Sequence, residues 1–360
     1  MAGEDLTSSE LAEPPRIPLT AAEFDEHQVH LEDSLMAATA GKGMTRWFWG
    51  EGVCLLAATR LAAARGDETP GWVHAFMTPY RAVAPVLEHV NNMAPGATLA
   101  ELYRASVQAG EPDAAALALI EQSLEWYASA PEATREEGGA LEHWPGGVWA
   151  DTVYMAGQFL LRAGIALERP ELIEEAQRQW LRHAELLQHP DVGLLVHGTN
   201  QGVRIGCHWG RANAWFAMAG ADILAVTGAP EVRDRLVRLL LVAARLQPAH
   251  GVWDVLLDSP PEVRGLLETS AAAGLGAAAL RTATLLADDD PAASATLRES
   301  GERAALGALA YVEDGILTRV SAGTVLQLIP FGYSVIRDDR WQPWGQGLAM
   351  EALAAWRETH

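Results

Sequence analysis

Along most of the chain, apolar residues recur at spacings of three and four, the repeat of an amphipathic helix. Alternating runs of β-branched residues are almost absent, and Ala, Leu, Arg and Glu fill the periodic stretches. The pattern predicts twelve helices, over 21–39, 47–65, 70–92, 97–109, 113–129, 149–167, 170–187, 209–227, 230–246, 266–286, 291–313 and 343–358. Two kinds alternate. Odd members carry charge, as in Pro170-Glu-Leu-Ile-Glu-Glu-Ala-Gln-Arg-Gln-Trp. Even members open on an aromatic, glycine or small polar cluster and then run nearly uncharged. Their openings are Trp47-Phe-Trp-Gly-Glu-Gly, Asn91-Asn-Met-Ala-Pro-Gly, Trp149-Ala-Asp-Thr, His208-Trp-Gly-Arg, Leu267-Glu-Thr-Ser and Pro343-Trp-Gly-Gln-Gly.

A helix that is apolar all round is buried, whereas one with a charged face lies at the surface. The openings recur at roughly 50–75 residues, which reads as a repeated helical hairpin. Six buried helices alternating with six surface helices describe an all-α (α/α)6 barrel of six helical hairpins. In a barrel the openings converge on one mouth; an irregular solenoid would spread them along a face. Residues 1–20 read as a flexible arm, and 21–360 as a single barrel domain.

With 360 residues, 49% hydrophobic and 20% charged, the chain supports a sizeable core and is not a disordered one. Its 26 basic and 47 acidic residues leave a net charge of −21. That balance is opposite to a nucleic-acid binder's or to that of a protein docking on anionic lipid. A small anionic substrate remains compatible if a local basic pocket receives it. Lys42 is the sole lysine, in Ala-Gly-Lys-Gly-Met, where it fits neither a Schiff base nor a P-loop. Tryptophan (13) outnumbers phenylalanine (6) and tyrosine (6). Flat indoles suit sugar faces, and they also serve packing.

Cys54 and Cys207 form no zinc spacing and no disulfide framework. The acidic, polar N-terminus is unlike a signal peptide. No apolar run approaches the roughly 18 residues of a membrane span. These features point to the cytoplasm.

Candidate chemistry sits at the openings. Asp151 lies in the first turn of a nearly uncharged inner helix. It either complements the helix dipole or acts as a general acid/base in an indole-lined pocket. Burial would raise its pKa and the helix terminus would lower it. Arg211 follows Trp209 and shares a helical face with Trp215. It either stacks on indoles or clamps a carboxylate. His197 lies in the loop before that cluster, and His143 in the loop entering the helix of Asp151. Glu268, in Glu-Thr-Ser, reads as a helix start with local hydrogen bonding, and Glu51 is similar.

These motifs resemble glycoside hydrolase family 105, the unsaturated rhamnogalacturonyl hydrolases. The resemblance rests on Gly147-Val-Trp-Ala-Asp-Thr-Val-Tyr-Met, Gly193-Leu-Leu-Val-His-Gly, Trp209-Gly-Arg-Ala-Asn-Ala-Trp, Gly251-Val-Trp with Leu267-Glu-Thr-Ser, and Trp344-Gly-Gln-Gly. They stand in the family's order across about residues 40–358. Related family 88, the unsaturated glucuronyl hydrolases, shares the fold and the aspartate.

The resemblance implies a six-hairpin barrel that hydrates the C4=C5 double bond of a terminal unsaturated uronic acid. It implies Asp151 as acid and base, and His197, Trp209, Arg211 and Trp215 as substrate-pocket positions. The Trp47–Trp49 region falls at the family's first aromatic opening, with Trp47 as the candidate pocket residue. No metal or organic cofactor is implied, and the partner is a small anionic oligosaccharide. Two departures stand out. Asn91 replaces an aspartate common in the family. The family's His-Lys pair falls near Ala140 and Leu141, with His143 a few residues later.

Two rival readings keep the barrel. An inverting glycosidase or epimerase would differ in chemistry, the former needing a second carboxylate such as Glu51 or Glu268 about 6.5–9.5 Å from Asp151. A degenerate barrel would bind a saccharide without turnover.

Overall fold

The computed structural model describes residues 14–336 and 341–360. Most of the expected flexible arm, residues 1–13, lies outside the described residues. The end of that arm is tied down. The backbone N–H of Arg16 donates to the Tyr311 hydroxyl at 2.8 Å, and its guanidinium donates to the Ala310 carbonyl and to Glu313.

The inner helices are α2 (Trp49–Arg65), α4 (Ala94–Gln108), α6 (Thr152–Ala166), α8 (Gly210–Thr227), α10 (Thr269–Leu286) and α13 (Pro343–Thr359). Each packs on the next, and α13 packs back on α2, so the ring is closed. The outer helices are α1 (Ala21–Ala40), α3 (Gly71–Ala82), α5 (Ala114–Ser129), α7 (Pro170–Leu187), α9 (Pro230–Leu246) and α11 (Pro291–Leu309). The fold is the (α/α)6 barrel that the alternation predicts.

Closure depends on small residues. A Cβ on Gly52 of α2 would lie 2.5 Å from the Pro95 nitrogen of α4, so a side chain there would push the helices apart. Local signals start the helices. Thr20 and Glu23 form a capping box on α1, and Asp113 and Asp290 cap α5 and α11 through their side chains.

Two predicted helices end early. The segment expected over 70–92 stops at Ala82, because Ala84 precedes Pro85 and the pre-proline position disfavours helix. The chain re-enters through a 3-10 turn, Val90–Met93. The helix expected to reach 313 stops at Leu309. There Val312–Glu313 (β3) pairs with Ile316–Leu317 (β4) across Asp314-Gly315, whose φ values of 49° and 73° suit a two-residue hairpin. A similar hairpin joins β1 (Gly198–Asn200) to β2 (Val203–Ile205). A short helix, α12 (Pro330–Ser334), was not expected from the pattern.

Toward their C-terminal ends, five inner helices meet in a buried charge network. Arg60 of α2 contacts Asp222 of α8 at 2.5 Å and Glu351 of α13 at 3.0 Å. Arg281 of α10 reaches Glu351 at 2.7 Å, and Arg162 of α6 reaches Asp222 at 3.4 Å. Gln158 of α6 donates to Asp222 at 2.8 Å. The network closes the end of the ring opposite the aromatic openings. Among the described residues, no helix is long and apolar enough to cross a membrane.

Candidate active site

The N-terminal ends of the inner helices gather at one mouth. Asp151 occupies the residue before α6 but makes no capping hydrogen bond with its side chain. The carboxylate is therefore free for other use. Its Oδ2 lies 3.3 Å from His197 Nε2, and neither atom has an aligned hydrogen-bond partner.

The backbone fixes this pair. The Ala150 N–H donates to the His197 carbonyl at 3.0 Å, and the His197 N–H donates to the Cys207 carbonyl at 2.9 Å. Gly198 makes room beside them, since a Cβ there would meet the Trp149 ring at 2.6 Å. Asn213 of α8 holds the loop from the other side, exchanging hydrogen bonds with both backbone groups of Leu195.

Rings surround the pair. His143 stacks on Trp149 at 4.6 Å, and His197 lies 5.2 Å from Trp149 and 4.5 Å from Trp209. The Arg211 guanidinium lies 4.4 Å over Trp209 and 5.6 Å over Trp344. Trp344 stacks on Trp49 at 4.3 Å, Trp49 meets Trp215 at 6.4 Å, and Trp215 meets Tyr154 at 4.8 Å. The indole N–H groups of Trp209 and Trp215 are buried without partners, as are Asp151 Oδ2 and His197 Nε2. Native interiors rarely leave such atoms unpaired, and a cluster of them marks a place for a polar ligand.

Electrostatics at the pair oppose one another. Burial pushes the Asp151 carboxyl up, but His197, His143 and Arg211 outweigh it and hold the pKa below its ordinary value. Burial pushes His143 down to about 3, against the pull of Asp151, so its imidazole is neutral. Its Nδ1 lies 3.1 Å from the Thr152 hydroxyl.

The structure brings Asp151, His197, His143, Trp209, Arg211 and Trp215 into one constellation. Asn91 is buried in the 3-10 turn that packs on α6. Trp47 faces elsewhere. Its indole N–H donates to the Asn92 carbonyl at 2.8 Å, and its ring packs on Phe76 and Tyr80 of α3. Trp49 occupies the ring position that the sequence suggested for Trp47. One residue, Phe48, separates them across the helix start, and their side chains diverge.

Arg211 is wholly buried and its Nη atoms are engaged. They donate to the carbonyl and hydroxyl of Ser321 at 2.8 Å each and to the Ala322 carbonyl at 2.8 Å. Glu268, at the start of α10, accepts from the Ser270 hydroxyl and from the Ser321 N–H, and approaches Arg211 at 3.5 Å. The local-bonding reading of Glu268 is what the structure contains, with Arg211 added. Of the two alternatives for Arg211, the indole stack is present, and its donors hold the loop at 321–324.

Three ring or contact residues were missed by the sequence reading. Trp49 and Trp344 belong to motifs already singled out, and helical register would have separated Trp49 from Trp47. Tyr333 carries no comparable signal. It is 1% exposed, and its hydroxyl lies 2.6 Å from His197 Nδ1.

The family model of Glycosyl Hydrolase Family 88 matches residues 22–358. The chain belongs to this family. The family 88 chain is 34% identical, over 243 residues, to "Unsaturated rhamnogalacturonyl hydrolase YesR" of Bacillus subtilis. That alignment covers 62% of the chain and 66% of the relative, just under two thirds of its length. Among solved structures, a possible member of the GH105 family from Salmonella enterica superposes with a TM-score of 0.78 at 24% identity, covering 99% of each chain. Unsaturated glucuronyl hydrolase from Bacillus sp. GL1 superposes with a TM-score of 0.64 at 19% identity, over 87% of this chain and 86% of that one. At these identities the structural likeness speaks for the fold. Family membership gives the class, glycoside hydrolase.

Proposed function

We propose that this glycoside hydrolase removes a terminal 4,5-unsaturated uronic acid from a lyase-derived oligosaccharide. The observation that carries the reading is that, among the described residues, Asp151 is the ring carboxylate not taken up by local hydrogen bonds. Asp151 presents an unpartnered oxygen to a pocket of indoles, whereas Glu268 is spent on Ser270, Ser321 and Arg211. Burial raises the carboxyl of Glu51, whose electrostatic neighbours are Arg46 and Tyr80. An ordinary inverting mechanism needs two free carboxylates, and hydration of a vinyl ether needs one.

In the proposed reaction, protonated Asp151 delivers its proton to C4 of the C4=C5 bond. Water adds at C5 and gives a proton back to the Asp151 carboxylate. The resulting hemiketal opens at the ring C5–O bond, leaving a C5 ketone and a hemiacetal at C1 that releases the leaving sugar. His197 orients the water and the acid. Trp209 and Trp215 pack the sugar ring, with His143 and Asn91 beside them. Arg211 supplies positive charge behind the indoles and fixes the loop at 321–324. We read the substrate as a small imported disaccharide and the compartment as cytoplasm, consistent with two buried free cysteines.

The test uses the substrate's chromophore. The conjugated C4=C5 bond absorbs in the ultraviolet and hydration destroys it. Purified protein should bleach at least one member of a panel of lyase-derived unsaturated galacturonyl and glucuronyl disaccharides. No bleaching of any, with release of sugar from saturated glycosides instead, would replace this reading with an ordinary glycosidase. Binding without turnover would replace it with the saccharide-binding barrel.

A second expectation follows from the depressed pKa. An acid catalyst must be protonated, yet His197 and the Arg211 guanidinium, against burial, hold Asp151 toward the carboxylate form. An incoming uronate adds negative charge and drives the carboxyl toward protonation. Binding of a saturated uronide, which has no double bond to hydrate, should take up protons at mildly acidic pH. Calorimetry in buffers of different ionisation enthalpy measures this uptake, and Asp151→Asn should abolish it. A binding enthalpy independent of buffer would show that the proton reaches the site another way.

A further inference from the structure

His197 has two ring nitrogens, and each faces a specific neighbour. Nε2 faces Asp151 Oδ2 at 3.3 Å, and Nδ1 meets the Tyr333 hydroxyl at 2.6 Å. Tyr333 sits on α12, a five-residue helix far along the chain from His197. Much of that segment is exposed. Leu328, Ile329, Phe331 and Val335 are between 59% and 70% exposed, whereas Tyr333 is 1% exposed. Tyr333 is thus the one fully buried side chain of α12, and it is turned toward the Asp151–His197 pair. The segment is anchored at its start by Arg211 and Glu268, at Ser321 and Ala322, and at Tyr333 by His197.

We propose that Tyr333 is a positioning residue whose hydroxyl fixes the tautomer of His197 and thereby decides which oxygen of Asp151 carries the catalytic proton. This rests on the hydration reading for what the proton does, not for the tautomer. The Gln327 N–H points at the Tyr333 oxygen at 3.4 Å, leaving the hydroxyl proton for His197 Nδ1. An accepting Nδ1 places the ring proton on Nε2, facing Oδ2. Oδ2 is then an acceptor, and the acid proton resides on Oδ1, free for the substrate. Without the hydroxyl, His197 is free to carry its proton on Nδ1. Its bare Nε2 then accepts from a protonated Oδ2, and the proton is held between Asp and His instead of reaching C4. Among the described residues, the other titratable or charged groups facing this unit are His143, Arg211 and Cys207.

Tyr333→Phe keeps the ring and removes only the hydroxyl. Two readouts test the inference. In nitrogen-15 spectra of labelled histidine, His197 (identified by its loss in His197→Gln) should show a protonated Nε2 and an unprotonated Nδ1. Tyr333→Phe should shift it toward the Nδ1-protonated form. In turnover, the same variant should lose kcat on the order of tenfold, less than the loss of the acid itself, with KM little changed. The alkaline limb of its kcat profile should move to higher pH, because an Asp–His bond of this kind favours the protonated acid. Phe331→Ser disturbs the exposed face of the same segment and should change neither readout. An unchanged His197 tautomer and an unchanged pH profile in Tyr333→Phe would overturn the proposal, whatever happens to kcat. The spectra need no turnover. A wild type that bleaches no unsaturated uronide would sink the hydration reading, and the tautomer shift would still be decided.

Discussion

Asp151→Asn is expected to lower turnover at least ~10²-fold, the smaller end of what loss of a general acid/base costs, with the fold intact. The substitution is nearly isosteric. Asp151 makes no capping bond with its side chain, so α6 loses no cap when the charge goes. An amide fits beside His197 Nε2 and fills the same space. What it lacks is the ability to give a proton to C4 and take one from water. The assay is the ultraviolet bleaching of the best unsaturated disaccharide, alongside thermal unfolding to establish that the variant is folded. Turnover within a few-fold of wild type in a folded variant would remove Asp151 from the chemistry. The remaining ring carboxylate, Glu268, would then have to leave its bonds to Ser270 and Ser321 to take part.

The largest expected effect on stability lies at the other end of the barrel. Asp222→Ala should cost on the order of 3–5 kcal/mol, the usual price of breaking a buried ion network by removing one partner. Asp222 is 8% exposed and is shared by Arg60, Arg162 and Gln158. Its removal leaves two guanidinium groups and an amide facing a void. Burial pushes the Asp222 carboxyl up, but Arg60, Arg162 and Arg281 prevail and hold it well below the ordinary carboxylate range. The sign of the pH dependence follows. A depressed carboxylate contributes fully above its unfolded pKa of ~3.9, and the contribution is lost as pH falls toward the folded value. The deficit of the variant, measured by urea unfolding, should therefore be constant between about pH 5 and 8 and shrink below about pH 4. A loss under ~1 kcal/mol at neutral pH would mean that the network is solvated or compensated.

The barrel was readable because its cause is local. Six nearly uncharged helices can only be buried, and six charged-faced ones can only cover them, so alternation along the chain becomes two layers in space. Asp151 was readable for the same reason: an acid at the entry to an apolar helix is conspicuous. His143 and His197 were found by their position next to the openings. Trp47 was chosen over Trp49 because composition marks an aromatic cluster without saying which ring turns inward. That depends on where α2 begins, one residue after Phe48.

Arg211 illustrates a different limit. Its place beside two indoles was legible, but not that Ser321 and Ala322, more than a hundred residues on, take its donors. Tyr333 lies 136 residues from His197 in a stretch without periodicity. Helix type, burial and the position of the acid follow from spacings of three and four residues, which the chain carries in its own order. Which tryptophan faces the pocket, which donors are already used and which hydroxyl meets His197 follow from ring closure, because only closure brings distant segments within hydrogen-bonding distance.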